Sequence, residues 1–471
     1  MFYTIIALLL CMGPVFSQHQ EIMARPEMWN KNLENVVDTS SLLHAFKSGT
    51  VNGHFRYFFM ATDNSKELTD FYANAAGGGI RYETAKFKGF QFAVSGFYIF
   101  NIGSSDLAKK DVASGQGSRY ETALFDVENP QNTMDLVRLE EFYLKYNFKK
   151  STISFGKQLI NTPFINLQDG RMRPTEVEGV WFVLNDLKNT KIEGGLLYAI
   201  SPRGTVKWYS IGESIGLYPA GVNSDGSKSG YPENIDASNI LQLGIHHKAF
   251  ENTSIHAWNL LVPNVFNSAL LQLDINFPIS KQKSYYTSFQ MVKQHAIKDG
   301  GNIDPSKRFI DKGSGSFSFG AKAGFKTPIL DFSLSYNRIT AEGRYLMPRE
   351  WGRDPFFTFL PRERNEGFGD VHATVANITY AIPEKRLKFN LAAGYFKMPD
   401  VTQPNLNKYG LPSYIQMNAD IRYSFAGIFQ GLDAQLLIVN KINQGQLYNQ
   451  TKYEINKVNM VLYNFVMNYY F

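Results

Sequence analysis

Two arginine-bearing segments have residue types that could bind an anionic solute. The first, 160–175, contains Arg171 and Arg173. It also contains three apolar residues: Phe164, Ile165 and Leu167. A loop that is merely solvated has no need of these residues, so we expect the segment to fold inward and its arginines to line a narrow passage. An external loop with incidental arginines is the alternative. The guanidinium group is permanently charged, and its donors match a carboxylate.

The second segment, 341–369, mixes charges of both signs with tryptophan and phenylalanine. Its arginines are Arg344, Arg349, Arg353, Arg362 and Arg364, and its acids include Glu350, Asp354, Glu363 and Glu366. A long loop with apolar content is usually ordered and functional. One interpretation is an ion-pair network that stiffens the loop. We expect some arginines to pair with loop acids and one or two, with Arg349 and Arg353 as candidates, to remain for a passing solute.

No residue pattern typical of an enzyme or a metal site occurs in the sequence. It lacks His-Glu-x-x-His, a P-loop, a dinucleotide-binding glycine motif after a strand and Gly-x-Ser-x-Gly. The adjacent His246 and His247 point to opposite faces of a strand and cannot easily share a metal. We therefore expect no catalysis, no cofactor and no nucleic-acid partner. A loop site built from Asp, His or Ser is the open alternative.

The amino terminus and the cysteine count indicate an exported protein. Residues 1–17 carry no charge and contain an apolar block at 5–11, which predicts a secretory signal cleaved before Gln18, although a basic first region is missing. Cleavage removes Cys11, the one cysteine, and so excludes disulfides and Cys-ligated metals. No later segment has 18 consecutive apolar residues, which argues against helical membrane spans. The 44% apolar content is too high for disorder.

The carboxyl terminus has the pattern of a long strand with one apolar face. Every odd position from Val461 to Phe471 is apolar or aromatic, while Asn464 and Asn468 occupy even positions. Period-two alternation indicates a strand. Its length suffices to cross a bilayer when tilted, and it exceeds the five or six residues typical of soluble strands.

The same pattern recurs and predicts an all-β fold, a transmembrane antiparallel up-and-down β-barrel of 18 strands over 51–471. Short and long connections alternate, and an even strand number returns both termini to one side, as in outer-membrane barrels. Residues 18–50 lack the pattern and form either a periplasmic arm or a plug. The predicted strands are 51–62, 78–86, 89–100, 138–148, 151–159, 176–185, 190–200, 238–249, 252–261, 266–277, 284–294, 314–326, 329–340, 370–382, 386–397, 414–425, 431–442 and 457–471.

Charged residues on these strands are expected to face the lumen. A charge that faces lipid at the bilayer midplane costs about 2–4 kcal/mol, and a barrel of this size encloses water. Cations outnumber acids on the predicted inner face, which favours a weak preference for anions. The inward candidates are Arg56, Arg81, Lys145, Lys157, Lys248, Lys322, Lys326, Lys388 and Arg422.

Several of these features together resemble the OprD-type, or Occ, outer-membrane porins. The carrying residues are Gly156-Lys157-Gln158, Thr162-Pro163, Arg171-Met172-Arg173-Pro174, Glu178-Gly179, the run 348–357 and the terminal Phe471. The resemblance implies a barrel whose inward loops narrow the pore, with Arg171 and Arg173 near the constriction and a ladder of basic wall residues that guides carboxylates. It also implies that Phe471 is read by the barrel-assembly machinery.

One stretch departs from the family pattern, since Gln435 and Leu437 occupy the expected ladder positions. The resulting prediction is a bacterial outer-membrane porin, monomeric or trimeric, for passive diffusion of small hydrophilic solutes, with carboxylate-bearing nutrients as one class. A surface adhesin or structural barrel with a plugged lumen is the alternative. The residues predicted to form the constriction or guide solutes are Arg171, Arg173, Arg349, Arg353, Arg56, Lys145, Lys322 and Arg422.

Overall fold

The computed structural model describes residues 28–29, 38–167 and 170–471. In this part of the chain, eighteen long strands form one sheet. They are β1 (Thr50–Asp63), β2 (Phe71–Glu83), β3 (Phe90–Asn101), β4 (Val137–Phe148), β5 (Ser151–Gln158), β6 (Glu176–Leu187), β7 (Thr190–Ser201), β8 (Ile240–Phe250), β9 (Thr253–Val262), β10 (Phe266–Ser280), β11 (Lys283–Ala296), β12 (Gly315–Lys326), β13 (Leu330–Ile339), β14 (Val371–Ile382), β15 (Leu387–Lys397), β16 (Tyr414–Ser424), β17 (Leu432–Asn443) and β18 (Met460–Tyr470).

Short elements complete the described chain. The helix α1 spans Leu42–Lys47, and two-residue strands lie at Asp38–Thr39, Lys86–Phe87 and Tyr209–Ser210. Single 3-10 turns lie at Thr122–Leu124, Pro305–Lys307, Pro383–Lys385, Gly427–Phe429 and Thr451–Tyr453. None of the described helices is long and apolar enough to span a membrane. The predicted signal at 1–17 and part of the predicted arm or plug at 18–50 lie outside the described residues.

The sheet closes into a barrel. Each strand pairs antiparallel with the next, and β18 pairs with β1 from His54↔Tyr470 to Asp63↔Val461. Closure leaves no unpaired edge, which is the condition for a sheet to span a bilayer. The predicted eighteen-stranded barrel is confirmed. All but one strand end lie within three residues of the prediction. The exception is the start of β2, which lies seven residues before the predicted start, because its small Ala and Gly residues show no alternation of apolar and polar side chains.

The two faces of the barrel differ as the alternation predicts. On β18, Tyr463 and Phe465 are exposed on the outside while Asn464 is buried inside. A register shift in the β3–β4 ladder turns two adjacent acids, Glu140 and Glu141, to the inside together. Lys157 is an exception to the predicted facing. It pairs across the ladder with the outward Phe142, and it is tolerated outside because it pairs with Glu178.

The strand connections define two ends of the barrel. Eight short connections form the turn end. Nine others form the loop end. Four of these loops are L2 (102–136), L3 (159–175), L4 (202–239) and L7 (340–370). Apolar residues of L3, L4 and L7 pack with the inner wall into one buried cluster. The loops therefore fill part of the lumen rather than standing above it.

Candidate functional site

L3 packs inside the barrel through its apolar residues. Phe164, Ile165 and Leu167 are each 1% exposed. Phe164 and Ile165 share a cluster with Trp181 of β6 and Trp351 of L7. This contact covers the inner face of β6, a strand that is apolar on both sides. The apolar residues of 160–175 thus have the packing role that an inward loop requires.

L3 and L7 are joined by direct hydrogen bonds. The Asn166 side chain accepts from Arg353 N at 2.9 Å and donates to Arg353 O at 3.1 Å. Thr175 Oγ1 donates to Glu350 O at 2.6 Å. Gly352 permits the approach, because a Cβ there would lie 2.7 Å from the Asn166 side chain. We call this contact between the two loops the L3–L7 junction.

L7 reaches three separate parts of the barrel wall. Gln290 of β11 donates to Pro355 O at 3.0 Å, and Gln416 of β16 donates to Pro361 O at 2.8 Å. Arg362 donates to Asn464 Oδ1 of β18 at 2.7 Å. β11 and β18 are seven strands apart around the barrel, so L7 spans part of the lumen and narrows it.

Glu363 anchors the tip of L7 through two cations. Arg119 of L2 contacts both carboxylate oxygens at 2.8 and 3.1 Å, and Lys441 of β17 contacts Oε2 at 2.7 Å. Burial alone raises the pKa of Glu363, but Arg119 and Lys441 outweigh it and hold the pKa at about 2. The carboxylate therefore stays charged at neutral pH and ties L2, L7 and the wall together.

The arginines of L7 differ in how they are neutralised. Arg349 pairs with Glu366 at 2.6 Å and lies over the Tyr409 ring at 3.7 Å. Arg353 makes no ion pair within the described residues. Burial lowers the pKa of Arg353 to about 10, so the group remains charged at neutral pH. As a whole residue, Arg353 is only partly buried.

The two arginines of L3 differ in the same way. Arg171 is partly exposed, donates to the carbonyl oxygen of Gly170 at 2.6 Å, and has no acidic partner in the described part of the chain. Arg173 is 3% exposed, donates from Nε to Glu140 Oε1 at 2.6 Å, and contacts Glu140 through a second bond and His54 Nδ1 at 3.0 Å. The expectation that Arg173 lines the open passage is corrected, because Glu140 encloses its guanidinium.

Apart from Lys157, the predicted wall cations face inward, and several lie beside an acid or an amide. Lys145 pairs with Glu83 at 2.7 Å and Arg422 with Asp420 at 3.0 Å. Arg56 is 5% exposed and donates to Asn468 at 3.0 Å. Lys322 lies 5.3 Å from the centre of the Tyr286 ring. Their predicted role as solute guides stays a prediction.

Sequence reasoning missed several inner residues. Trp29, which lies outside the predicted strands in the sequence, donates from its indole N–H to Glu141 Oε2 at 3.0 Å inside the barrel. His246 contacts His256 at 2.7 Å between Nδ1 atoms. No group of three metal-ligating residues occurs in the described chain. The sequence offers one signal for such inner residues, the adjacent pair Glu140-Glu141. Two neighbouring acids on a strand imply a bulge if both are to avoid lipid.

The terminal Phe471 closes the barrel seam at the turn end. Its backbone exchanges two hydrogen bonds with Gly53, at 2.8 and 3.1 Å. Its ring stacks on Phe55 at 5.5 Å and is 48% exposed. Gly53 leaves room for the Phe471 ring, because a Cβ at this position would overlap Phe471 Cζ. The predicted recognition of Phe471 during assembly stays a prediction.

A closed barrel with an apolar outside, a polar inside and loops folded into the lumen defines an outer-membrane channel. A family model described as outer membrane porin, OprD family, matches residues 50–358. The chain therefore belongs to the OprD family of porins and lies in the bacterial outer membrane.

Solved structures with the same fold include two Occ channels. OpdK of Pseudomonas aeruginosa, solved with vanillate, superposes with a TM-score of 0.69 at 11% sequence identity. The match covers 90% of this chain and 99% of the OpdK chain. OccAB2 of Acinetobacter baumannii superposes with a TM-score of 0.70 at 12% sequence identity. The match covers 91% of this chain and 99% of the OccAB2 chain. No curated protein is a significant match to the sequence.

Proposed function

We propose that this porin passes small solutes that carry a carboxylate, and that Arg171 and Arg353 contact the solute at the L3–L7 junction. One observation carries the proposal: Arg171 and Arg353 are only partly buried and have no acidic partner within residues 28–29, 38–167 and 170–471. A fixed, desolvated cation in a narrow passage attracts anions and repels cations. Two such groups offer donors to both oxygens of a carboxylate.

The side chains of the barrel wall support the assignment of the solute contacts to the loops rather than to the strands. On β17, Gln435 and Leu437 lie on the inner face, where a basic ladder would run in the family. Gln435 donates to Asp420 at 2.8 Å rather than offering charge. Selectivity in this chain thus rests on the junction. Vanillate, which accompanies the OpdK structure, is itself a carboxylate.

Liposome swelling tests the proposal. We expect small carboxylates to enter faster than neutral solutes of equal size, and the Arg171→Gln/Arg353→Gln double variant to lose this difference while neutral solutes enter as before. Lys312→Gln, which removes one exposed cation that pairs with Asp299 in the loop between β11 and β12, is the control and should behave as wild type. Equal entry of carboxylates and neutral solutes in the wild type contradicts the proposal.

The proposal extends to the amino-terminal segment at 18–50. Trp29 lies among Arg173, His54 and Glu141 inside the barrel, which supports the plug alternative for the part of the segment at Trp29. We expect Trp29→Ala to raise the single-channel conductance. An unchanged conductance would assign Trp29 to wall packing alone.

A further inference from the structure

The outer face of the barrel carries a group of basic residues near the loop end. They lie on neighbouring strands from β11 to β15: Lys293, His295, Arg338, His372 and Lys397. Each faces outward because its strand neighbours are luminal. For example, His372 lies between Val371 and Ala373, which are both fully buried.

Three of these residues form a continuous row. Arg338 of β13 is directly opposite His372 of β14, and His372 is directly opposite Lys397 of β15. Side chains directly opposite on a sheet lie about 4.5–5.5 Å apart at Cβ, so the three side chains can reach one bound group. We call these three residues the outer basic row.

The acids of the chain neutralise this region only in part. Asp370 contacts Arg338 at 2.5 Å, and Glu342 contacts Lys293 at 2.7 Å. Lys397 is exposed and has no acidic partner within the described residues. Elsewhere on the described strands, the outward cation at this end is Lys157, which Glu178 neutralises. The excess positive charge is thus confined to one side of the barrel.

The depth of the row in the membrane follows from its neighbours. Tyr336 and Tyr395 lie two residues nearer the midplane and face outward, and Tyr336 Oη lies 2.8 Å from His372 Nδ1. Outward tyrosines mark the interface of membrane barrels. Charges at that height cost about 0–1 kcal/mol rather than the midplane value. The row therefore lies at the level of lipid headgroups.

We propose that the outer basic row binds a phosphate group of a glycolipid in the leaflet that surrounds the loop end. Phosphate is the anion that a headgroup presents at this height, and an arginine beside a lysine supplies several charged donors to its oxygens. The strands hold the three side chains on a rigid platform, so little freedom is lost on binding. The site uses no luminal residue and is independent of solute passage.

Native mass spectrometry of the detergent-solubilised full chain tests the proposal with diphosphoryl lipid A as the probe. We expect wild type to retain this lipid and the triple variant Arg338→Gln/His372→Gln/Lys397→Gln to bind it roughly thirtyfold more weakly, since Arg338 and Lys397 each contribute about 1 kcal/mol towards an anionic lipid. The matched control is Lys149→Gln/Lys188→Gln/Lys281→Gln, which removes three exposed turn-end lysines. It should bind as wild type.

Three outcomes would overturn the proposal. The first is equal binding by the triple variant. The second is equal retention of the same glycolipid after enzymatic removal of its phosphates. The third is a discrete oligomer that the triple variant dissociates, which would make the row a contact between copies of the chain. Heat-modifiable migration on a gel confirms that each variant is folded, and the single variant Lys397→Gln repeats the test at an exposed position.

Discussion

The barrel wall and the L3–L7 junction are both rich in cations but differ in how these are neutralised. On the wall, Lys145 contacts Glu83 and Arg422 contacts Asp420 at 2.7 and 3.0 Å. At the junction, Arg171 and Arg353 have no acid within reach in the described residues. On the wall, the acid lies two residues along the strand, as for Arg422, or on the next strand but one, as for Lys145, whereas loop packing can hold a cation apart. We therefore expect the wall charges to stiffen the barrel and the junction charges to remain for solute.

Reversing the junction charge should have the largest effect. We expect Arg171→Glu/Arg353→Glu to change the channel from anion-selective to cation-selective, because the narrowest part of a pore dominates its selectivity. The reversal potential in a salt gradient across a planar bilayer measures this. Lys312→Glu, on an exposed loop, is the control. An unchanged reversal potential with normal conductance steps would remove the distinction between wall and junction.

Removing the charge that anchors L7 should have the next largest effect. Glu363→Gln leaves Arg119 and Lys441 buried without a counter-charge, which costs about 3–5 kcal/mol. We expect faster proteolysis of L7 and a noisier single-channel current. The control is Glu342→Gln, whose partner Lys293 is half exposed, and it should cost less than about 1 kcal/mol. Equal effects of the two variants would contradict a buried anchor.

The packing of L7 should depend on pH through Asp354. Burial, with Glu366 nearby, raises the pKa of Asp354 from 3.8 to about 7. The packed loop therefore holds a proton that the unpacked loop releases, and the contribution of Asp354 to the stability of L7 is largest below about pH 4 and falls as the pH rises towards 7. Hydrogen exchange of L7 amides, corrected for intrinsic rates, should speed up across this window. Asp354→Asn should flatten the dependence, and a flat wild-type profile would contradict it.

A single change on the wall should have the smallest effect. Arg422 is 30% exposed, and its partner Asp420 keeps a hydrogen bond from Gln435 when the guanidinium is removed. We expect Arg422→Gln to shift the reversal potential less than Arg353→Gln does. A larger shift from the wall variant would mean that solutes are selected along the wall.

The strand pattern was predictable because lipid imposes it. An outward side chain must be apolar through most of the bilayer, so β18 reads as alternating Tyr463, Asn464 and Phe465. Alternation is not visible where either face accepts the residues, as at the run of Ala and Gly from Ala75 to Gly79 in β2. It also fails at the bilayer edge, where Lys157 faces outward beside Glu178.

The loop charges show what a sequence pattern cannot decide. Arg171 and Arg173 are two positions apart and equivalent in sequence, yet the inward turn of Glu140 neutralises only Arg173. Arg349 and Arg353 differ likewise through Glu366. Local periodicity determined the strands, their faces and the closed barrel, because every strand has one face towards lipid and the other towards the polar lumen. Only the tertiary structure decided which guanidiniums remain open, because their partners come from other loops and from ladder shifts far along the chain.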